Sequence, residues 1–239
     1  MKAIILCAAI AAMVTTAANA ADITWGSPTT ISGTSDVSTL GTTIGTWGPG
    51  DDWEPGQPGR RSDYYPVNGV TFAAYGSGPF GSFISTSGLN DRYDGFANPG
   101  TSDSNYNLIL TTSIYSYGDT MSLTWGGVTA GNTYELEFWI NDGRNAVTAE
   151  RSETLTGGAN TAAALGYSGR YILGTFVADG SGQQTLGIQA YGGNDIGPSA
   201  QITLLQLRDI TPVPEPSSLG LLGAGVSALL CGLRRKSVA

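Results

Sequence analysis

The clearest pattern of apolar and polar positions runs over Thr133–Ile140, where apolar side chains alternate with other residues. Such a two-residue period predicts a β-strand with one face toward a core and the other toward solvent. Gly131 and Asn132 precede this strand and Asn141 follows it, and both segments are typical of turns. The expected core face holds Tyr134, Leu136, Phe138 and Ile140, and the expected solvent face holds Glu135, Glu137 and Trp139.

Similar short apolar runs recur along the chain between segments rich in Gly, Asn, Asp and Ser. Residues 171–177 and 184–190 flank the turn residues 179–182, which predicts a β-hairpin. We expect further strands at 22–25, 67–73, 108–115, 121–125 and 202–210. No amphipathic helix of about ten residues is predicted, so the sequence indicates an all-β, antiparallel β-sandwich of the jelly-roll-like kind.

Composition narrows the chemistry of the segment between residues 21 and 212, which contains no His, Cys or Lys. Ser-His-Asp and Cys-His nucleophilic sites, Schiff bases and zinc sites built on His or Cys are therefore excluded there. The segment has 7 Arg against 18 Asp and Glu, a net charge of −11. This acidic surface argues against binding to nucleic acid, whose phosphates it would repel.

The N-terminal residues 1–20 are typical of a secretory signal peptide. Lys2 is followed by an apolar run, and Ala18 and Ala20 supply the small-x-small pattern that signal peptidase accepts. We expect cleavage after Ala20, export of the protein, and a β-sandwich ectodomain over residues 21–211.

The C-terminal segment has three parts in sequence: a Pro-rich linker at 212–216, an uncharged apolar stretch at 217–233, and a basic tail at 234–239. The linker contains Pro214, Glu215 and Pro216, and the tail opens with Arg234, Arg235 and Lys236. As a helix, the apolar stretch would span about 25 Å, close to the lower limit for crossing a bilayer. The positive-inside rule keeps the basic residues in the cytoplasm and the ectodomain outside.

This tail resembles the PEP-CTERM sorting signal of exported bacterial proteins, also known as the ice-binding protein C-terminal domain. The resemblance implies processing by an exosortase near Pro214, Glu215 and Pro216, after transient anchoring in the inner membrane. It also implies delivery to the cell surface or extracellular matrix of a bacterium that has an outer membrane and makes exopolysaccharide. The ectodomain is similar to jelly-roll ectodomains found before such tails, through residues 36–41, 67–72 and 174–179. That similarity implies architecture only.

Candidate ligand-binding chemistry in the ectodomain centres on the expected solvent face of Thr133–Ile140. Trp139, Glu137, Asp142 and Arg144 would suit a glycan, because aromatic rings stack on sugars while charged groups bind hydroxyls. Glu135 and Glu137 would project about 7 Å apart, within the range of glycosidase carboxyl pairs. The alternative is that Trp139 is covered by a neighbouring loop and only packs.

Calcium is the ion that this oxygen-rich sequence favours, with Asp51, Asp52 and Glu54 as candidate ligands, and no other cofactor is predicted. Ice binding is disfavoured because adjacent Thr pairs such as Thr42 and Thr43 point to opposite faces of a strand. The sequence thus predicts a non-catalytic structural or adhesive surface protein first. A carbohydrate-binding module acting on exopolysaccharide comes second, and a carboxylate-dependent glycoside hydrolase third.

Overall fold

A computed structural model describes residues 20–48, 65–72, 84–88, 91–94, 98–142, 151–162, 165–166, 169–192 and 197–213. The described elements are strands, one short α-helix and one 3₁₀ turn. In chain order the strands are β1 Thr24–Trp25, β2 Thr29–Thr30, β3 Thr42–Trp47, β4 Tyr65–Val67, β5 Val70–Phe72, β6 Ile84–Ser87, β7 Asp91–Asp94, β8 Thr112–Tyr115, β9 Thr120–Gly126, β10 Thr133–Ile140, β11 Ser152–Gly157, β12 Asn160–Thr161, β13 Leu165–Gly166, β14 Arg170–Val177, β15 Gln183–Tyr191, β16 Gln201–Ile202 and β17 Leu204–Asp209. Helix α1 spans Ser104–Ile109, and the 3₁₀ turn spans Thr34–Asp36.

Two antiparallel sheets pack face to face, which confirms the predicted β-sandwich. We call the first the middle sheet; its strand order is β1-β14-β10-β17-β3, with β2 also paired to β14. The second, the outer sheet, has the order β12-β11-β15-β9-β6, with β13 also paired to β11. The chain passes from one sheet to the other between β3 and β6, β9 and β10, β10 and β11, β13 and β14, β14 and β15, and β15 and β17.

The main core lies between these two sheets and is built from alternate positions of their strands. Leu136 and Phe138 of β10 are fully buried there, as are Leu123 of β9 and Leu186 of β15. At about 25 cal/mol per Å² of apolar area removed from water, such side chains supply the main favourable term in folding.

The other face of the middle sheet is also covered, so the prediction of a solvent-facing second side for β10 is wrong. A cover layer packs on it, formed by residues 31–41, the β4–β5 hairpin and α1. Asp36 folds residues 32–36 back on themselves, because its carboxylate accepts hydrogen bonds from the Ser32 N–H at 2.6 Å and the Gly33 N–H at 2.9 Å. The Asn68 side-chain amide then donates to the Val37 carbonyl at 2.8 Å and joins the hairpin to this segment.

The β4–β5 hairpin replaces the single strand predicted at 67–73. Asn68 and Gly69 both have positive φ values, 49° and 74°, at its two-residue turn. This backbone suits Asn-Gly and few other pairs, because most side chains are strained at positive φ.

Two further predictions are corrected by the connections between strands. Strands β14 and β15 form where expected, but they do not pair as a hairpin: β14 lies in the middle sheet and β15 in the outer sheet. The intervening turn therefore arches across the sandwich. The run predicted as one strand at 108–115 begins instead inside α1, whose N-terminus is capped by Asp103 accepting from the Tyr106 N–H at 2.7 Å. Only Thr112–Tyr115 of that run is a strand.

Candidate functional site

Trp139 lies in the second core, beneath the cover layer, and is fully buried. Its indole Nε1 donates to the hydroxyl of Tyr106 of α1 at 2.8 Å, and its ring meets the edge of Phe72 at a centroid distance of 5.8 Å. A glycan needs an open ring face for stacking, so the prediction that Trp139 forms part of a surface patch is wrong. The alternative, that a neighbouring segment covers Trp139, is confirmed.

Glu137 is also buried beneath the cover layer. Its Oε2 accepts from the Ser38 N–H at 3.0 Å and from the Gln206 side-chain amide at 3.4 Å, whereas its Oε1 has no hydrogen-bond partner among the described residues. Burial raises the pKa of Glu137 from its ordinary 4.5 to about 8, although the Ser38 hydrogen bond opposes that rise. Glu137 is therefore mostly protonated at neutral pH.

Glu135 faces the same covered side and lies directly across from Arg208 in the register of β10 and β17. The Arg208 guanidinium is bound by the chain that closes the cover layer: it donates to the carbonyls of Leu40 and Gly41 and, at 2.7 Å, to the hydroxyl of Thr43. Glu135 and Arg208 are both buried. The predicted carboxyl pair, Glu135 and Glu137, is thus enclosed, and a polysaccharide cannot reach either group in this structure.

Asp142 lies just beyond β10 and is fully buried, which contradicts its predicted place on a glycan-binding surface. Its carboxylate forms an ion pair with Arg151 at 3.4 Å, and Arg151 also donates to the Ser199 carbonyl at 3.2 Å. This interior ion pair was missed in the sequence, because nothing in the local pattern marks Arg151 as buried. Arg144, the last predicted glycan contact, lies outside the described residues.

The predicted calcium ligands Asp51, Asp52 and Glu54 lie outside the described residues as well. Within the part of the chain that the structure describes, no three His, Cys, Asp or Glu side chains lie close enough together to hold a metal ion. A calcium site at residues 51–54 therefore stays a prediction.

A set of hydrogen bonds holds the chain where it leaves the sandwich after β17. The Ile210 N–H donates to the Thr133 carbonyl at 2.9 Å, and the Thr133 N–H donates to the Thr211 hydroxyl at 2.8 Å. Asp209 accepts from the Thr211 N–H at 2.9 Å and from the Asn132 side-chain amide at 2.7 Å. Hydrogen bonds from Thr211 and Asn132 hold the pKa of Asp209 below its ordinary value. Together these contacts fix the chain as far as Thr211.

The first described residues of the chain are also hydrogen-bonded to the sandwich. The Gln184 side-chain amide donates to the Ala21 carbonyl at 2.8 Å, and Asp22 accepts from the Ala159 N–H at 2.5 Å. Ile23 is fully buried in the main core. Beside this segment an open cleft of about 840 Å³ is lined by Ala20, Ala21, Asp22 and small residues of β11, β15 and their turns. Ala18 lies outside the described residues, and cleavage after Ala20 stays a prediction.

Both held segments lie at the same end of the sandwich. Gln184 follows the turn after Val177, and Val177 is the register partner of Thr133, which holds the tail. We call this the basal end and the opposite one the distal end. The basal end comprises residues 20–22, 40–43, 129–133, 177–182 and 209–213, and the distal end comprises residues 115–119, 140–142 and 190–192.

Comparison with known families identifies the segment that comes after Thr211. Residues 212–236 match the PEP-CTERM protein-sorting motif, and the match begins one residue after Thr211. The chain carries a PEP-CTERM sorting motif. The motif covers about a tenth of the sequence and implies export and exosortase-mediated sorting to the cell surface. Pro214, Glu215, Pro216, Arg234, Arg235 and Lys236 all fall within the PEP-CTERM match, outside the described residues.

The membrane helix predicted within the PEP-CTERM motif, at residues 217–233, also lies outside those residues. Among the helices of the described ranges, none combines the length and apolar character that crossing a bilayer requires.

Solved structures similar to the PEP-CTERM chain are distant. The ANX2 ectodomain from Arabidopsis thaliana is 14% identical, with a TM-score of 0.45 over 64% of this chain and 49% of that one. A family 35 carbohydrate-binding module from Clostridium thermocellum is 16% identical, with a TM-score of 0.29 over 52% of this chain and 90% of that one. The EclA C-terminal domain, a sugar-binding protein, is 20% identical, with a TM-score of 0.33 over 40% of this chain and 76% of that one. The chain spans about half the length of the ANX2 ectodomain. No curated protein matches it in sequence.

Proposed function

We propose that this protein is an exported, exosortase-processed surface or extracellular-matrix protein whose β-sandwich has a non-catalytic structural or adhesive role. The observation that carries this is the position of the sorting motif: it begins at residue 212, directly after the last described residue that is hydrogen-bonded to the sandwich. Every described strand of both sheets lies before residue 212, and the last of them, β17, ends at Asp209 in the middle sheet.

In this proposal the tail anchors the chain in the inner membrane until an exosortase cuts near Pro214, Glu215 and Pro216. Signal peptidase acts at the other end, after Ala20. The burial of Glu135 and Glu137 supports a body without hydrolase activity, because the carboxyl pair that the sequence offered for catalysis is enclosed.

Cell fractionation tests the sorting step in a bacterium that carries an exosortase. An immunoblot against the sandwich should show a shortened chain in the outer-membrane or medium fraction. We expect Glu215→Ala to leave a full-length chain in the inner membrane, whereas Pro212→Ala, which changes a proline outside the triplet, is processed normally. Mass spectrometry of the exported C-terminus locates the cut. Normal shortening and release of the Glu215→Ala chain would show the proposal to be wrong.

Carbohydrate binding is a second candidate, favoured by exposed tyrosines at the distal end. Tyr117 and Tyr191 are exposed, and the Ala190 N–H, next to Tyr191, donates to the Asp119 carbonyl at 2.7 Å. This bond brings the two tyrosine-bearing segments together. Tyrosine offers a flat apolar face and a hydroxyl, which suits a sugar ring, and acidic neighbours such as Asp119 suit its hydroxyl groups.

Affinity electrophoresis against a panel of polysaccharides, including the exopolysaccharide of the source cells, tests this second role. We expect a retarded sandwich whose retardation is lost in Tyr117→Ala and Tyr191→Ala but kept in Leu108→Ala, which changes an exposed residue on α1. Equal migration of all four proteins in every gel would remove the candidate.

A further inference from the structure

The basal end holds both segments that join the body to its proposed membrane tethers. Before processing, the signal peptide would enter at Ala21 and the tail would leave at Thr211, and both residues are bound to the sandwich at this end. A body held by two tethers at one end has that end turned toward the membrane. This step rests on the function proposed above.

The C-terminal tether is short. Thr211 is the last described residue that is hydrogen-bonded to the body, and the apolar stretch begins at Ser217, six residues further on. At about 3.3–3.6 Å per residue, a fully extended chain of this length spans at most about 20 Å. Three of those residues are prolines, which disfavour a helix. They do not raise the maximum length of the extended linker. The basal end must therefore lie within about 20 Å of the bilayer while the tail is inserted.

Exposed apolar side chains surround the point where the tail leaves. Leu40 is 61% exposed, Val177 57% and Val213 86%. On one side of this exit point, Val177 is the register partner of Thr133, which binds Thr211. On the other side, the Leu40 carbonyl accepts a hydrogen bond from Arg208, the residue before Asp209. Ile44, 41% exposed, lies on the edge strand β3, one residue beyond the basal segment 40–43.

We propose that this basal surface, formed by Leu40, Val177 and Val213 with Ile44 next to it, rests on the lipid surface of the membrane that holds the tail. The apolar side chains enter the headgroup region, which the short tether brings within reach. Asp209 and Asp179 lie at the same end, and hydrogen bonds keep the pKa of each below its ordinary value, from Thr211 and Asn132 for Asp209 and from Ser181 for Asp179. Because both carboxylates stay ionised, the surface favours zwitterionic over anionic lipid.

Site-directed fluorescence in vesicles tests the proposal with the full chain. The two natural cysteines, Cys7 and Cys231, lie outside the ectodomain, so changing both to Ser allows a single cysteine to be placed at will. An environment-sensitive dye is attached at Leu40→Cys, at Val177→Cys or, as a control, at Leu108→Cys. Leu108 is an apolar residue of α1 that is 44% exposed and lies outside the basal end.

Each labelled chain is reconstituted in phosphatidylcholine vesicles containing lipids with a nitroxide on the headgroup. We expect several-fold stronger quenching at positions 40 and 177 than at 108. Equal quenching at all three positions would overturn the proposal. Adding phosphatidylglycerol should weaken the quenching at 40 and 177, and stronger quenching there would contradict the zwitterionic preference.

A parallel sample separates this inference from the function on which it rests. A dye on the natural Cys231, with Cys7→Ser, reports tail insertion through quenching by a nitroxide on the acyl chain. If Cys231 is quenched and positions 40 and 177 behave like 108, only the basal-surface proposal fails. If Cys231 is not quenched, the tail does not anchor the chain and the proposed sorting route fails with it.

Discussion

The indole of Trp139 donates its hydrogen bond to the hydroxyl of Tyr106, joining the middle sheet to helix α1 inside the second core. Both side chains are fully buried, and burial raises the pKa of the Tyr106 hydroxyl well above its ordinary range. The bond fixes the cover layer over the sheet face where the sequence placed a glycan site.

Removing the Tyr106 hydroxyl should therefore destabilise the sandwich without removing a large side chain. Tyr106→Phe leaves the buried indole N–H unpaired, which costs about 1–3 kcal/mol of unfolding free energy. Urea denaturation followed by tryptophan fluorescence measures the loss. Tyr117→Phe, at an exposed position, serves as the control and should change the unfolding free energy by less than about 0.5 kcal/mol. Equal unfolding midpoints for the two variants would contradict the role given to this bond.

Glu137 should make stability fall as the pH rises. Its pKa is raised from 4.5 to about 8 by burial, so between these values the folded protein keeps a proton that the unfolded chain has lost. The free energy of unfolding then decreases by up to about 1.4 kcal/mol per pH unit across that interval and levels off above it.

Glu137→Gln keeps the shape of the side chain and removes its titration. We expect the variant to lose this part of the pH dependence, so that its advantage over the unchanged protein grows from about pH 5 to about pH 8. Urea midpoints measured across the range test this. Parallel curves for the two proteins would show that Glu137 does not titrate as described.

A methyl group at Gly174 of β14 should destabilise the protein, because the N-terminal segment packs directly on the backbone of this residue. A Cβ at this position would lie 2.5 Å from Ile23 and 2.7 Å from the Trp25 ring. We expect Gly174→Ala to cost about 1–3 kcal/mol through overpacking, and to make residues 21–25 more sensitive to protease.

Gly187 of β15 provides a matched control for this substitution, since a Cβ there would meet Thr156 at an ordinary 3.7 Å. Gly187→Ala should be nearly neutral in thermal unfolding and in limited proteolysis. A similar loss of stability in both variants would point to a general cost of alanine in these strands rather than to the packing of Ile23 and Trp25.

Thr211 should limit protease cleavage at the C-terminal end of the sandwich, because its hydroxyl binds the chain to Thr133. Thr211→Val removes the acceptor for the Thr133 N–H and should cost about 0.5–1.5 kcal/mol locally. Limited proteolysis with mass spectrometry should then show cuts moving from beyond residue 213 back toward Asp209. Thr211→Ser keeps the hydroxyl and should retain the original cutting pattern. Identical patterns for the Val and Ser variants would contradict the prediction.

Local pattern was enough to predict several of the strands, but not β3, β6, β7 or β11, and not the pairing of the strands that it did predict. The alternation in Thr133–Ile140 predicted β10 with its observed bounds, and the runs in β9, β14 and β15 were equally clear. Pairing depends on where a turn directs the chain. The five residues between β14 and β15 fit a hairpin and an arch between sheets equally well in sequence, and packing on the two sides of the core selects the arch.

The sequence could not show that both faces of β10 are covered. Glu135 and Glu137 occupy the positions that the alternation of β10 assigns to a solvent face, and only long-range contacts from Ser38, Gln206 and Arg208 enclose them. One available signal was missed: Asn68-Gly69 between Val67 and Val70 is typical of a two-residue hairpin turn, and it would have predicted the hairpin that covers this face.

The last strand of the body, β17, is not an edge strand; it lies between β10 and β3. In the export route proposed above, this order determines when the middle sheet can be completed. Until Asp209 has emerged from the translocation channel, β10 and β3 each keep an unpaired edge, because the strand that pairs with both of them is missing from the middle sheet. In the proposed route the apolar stretch at 217–233 follows Asp209 by only a few residues, so the sheet would be completed at nearly the same moment of export as the tail enters the bilayer.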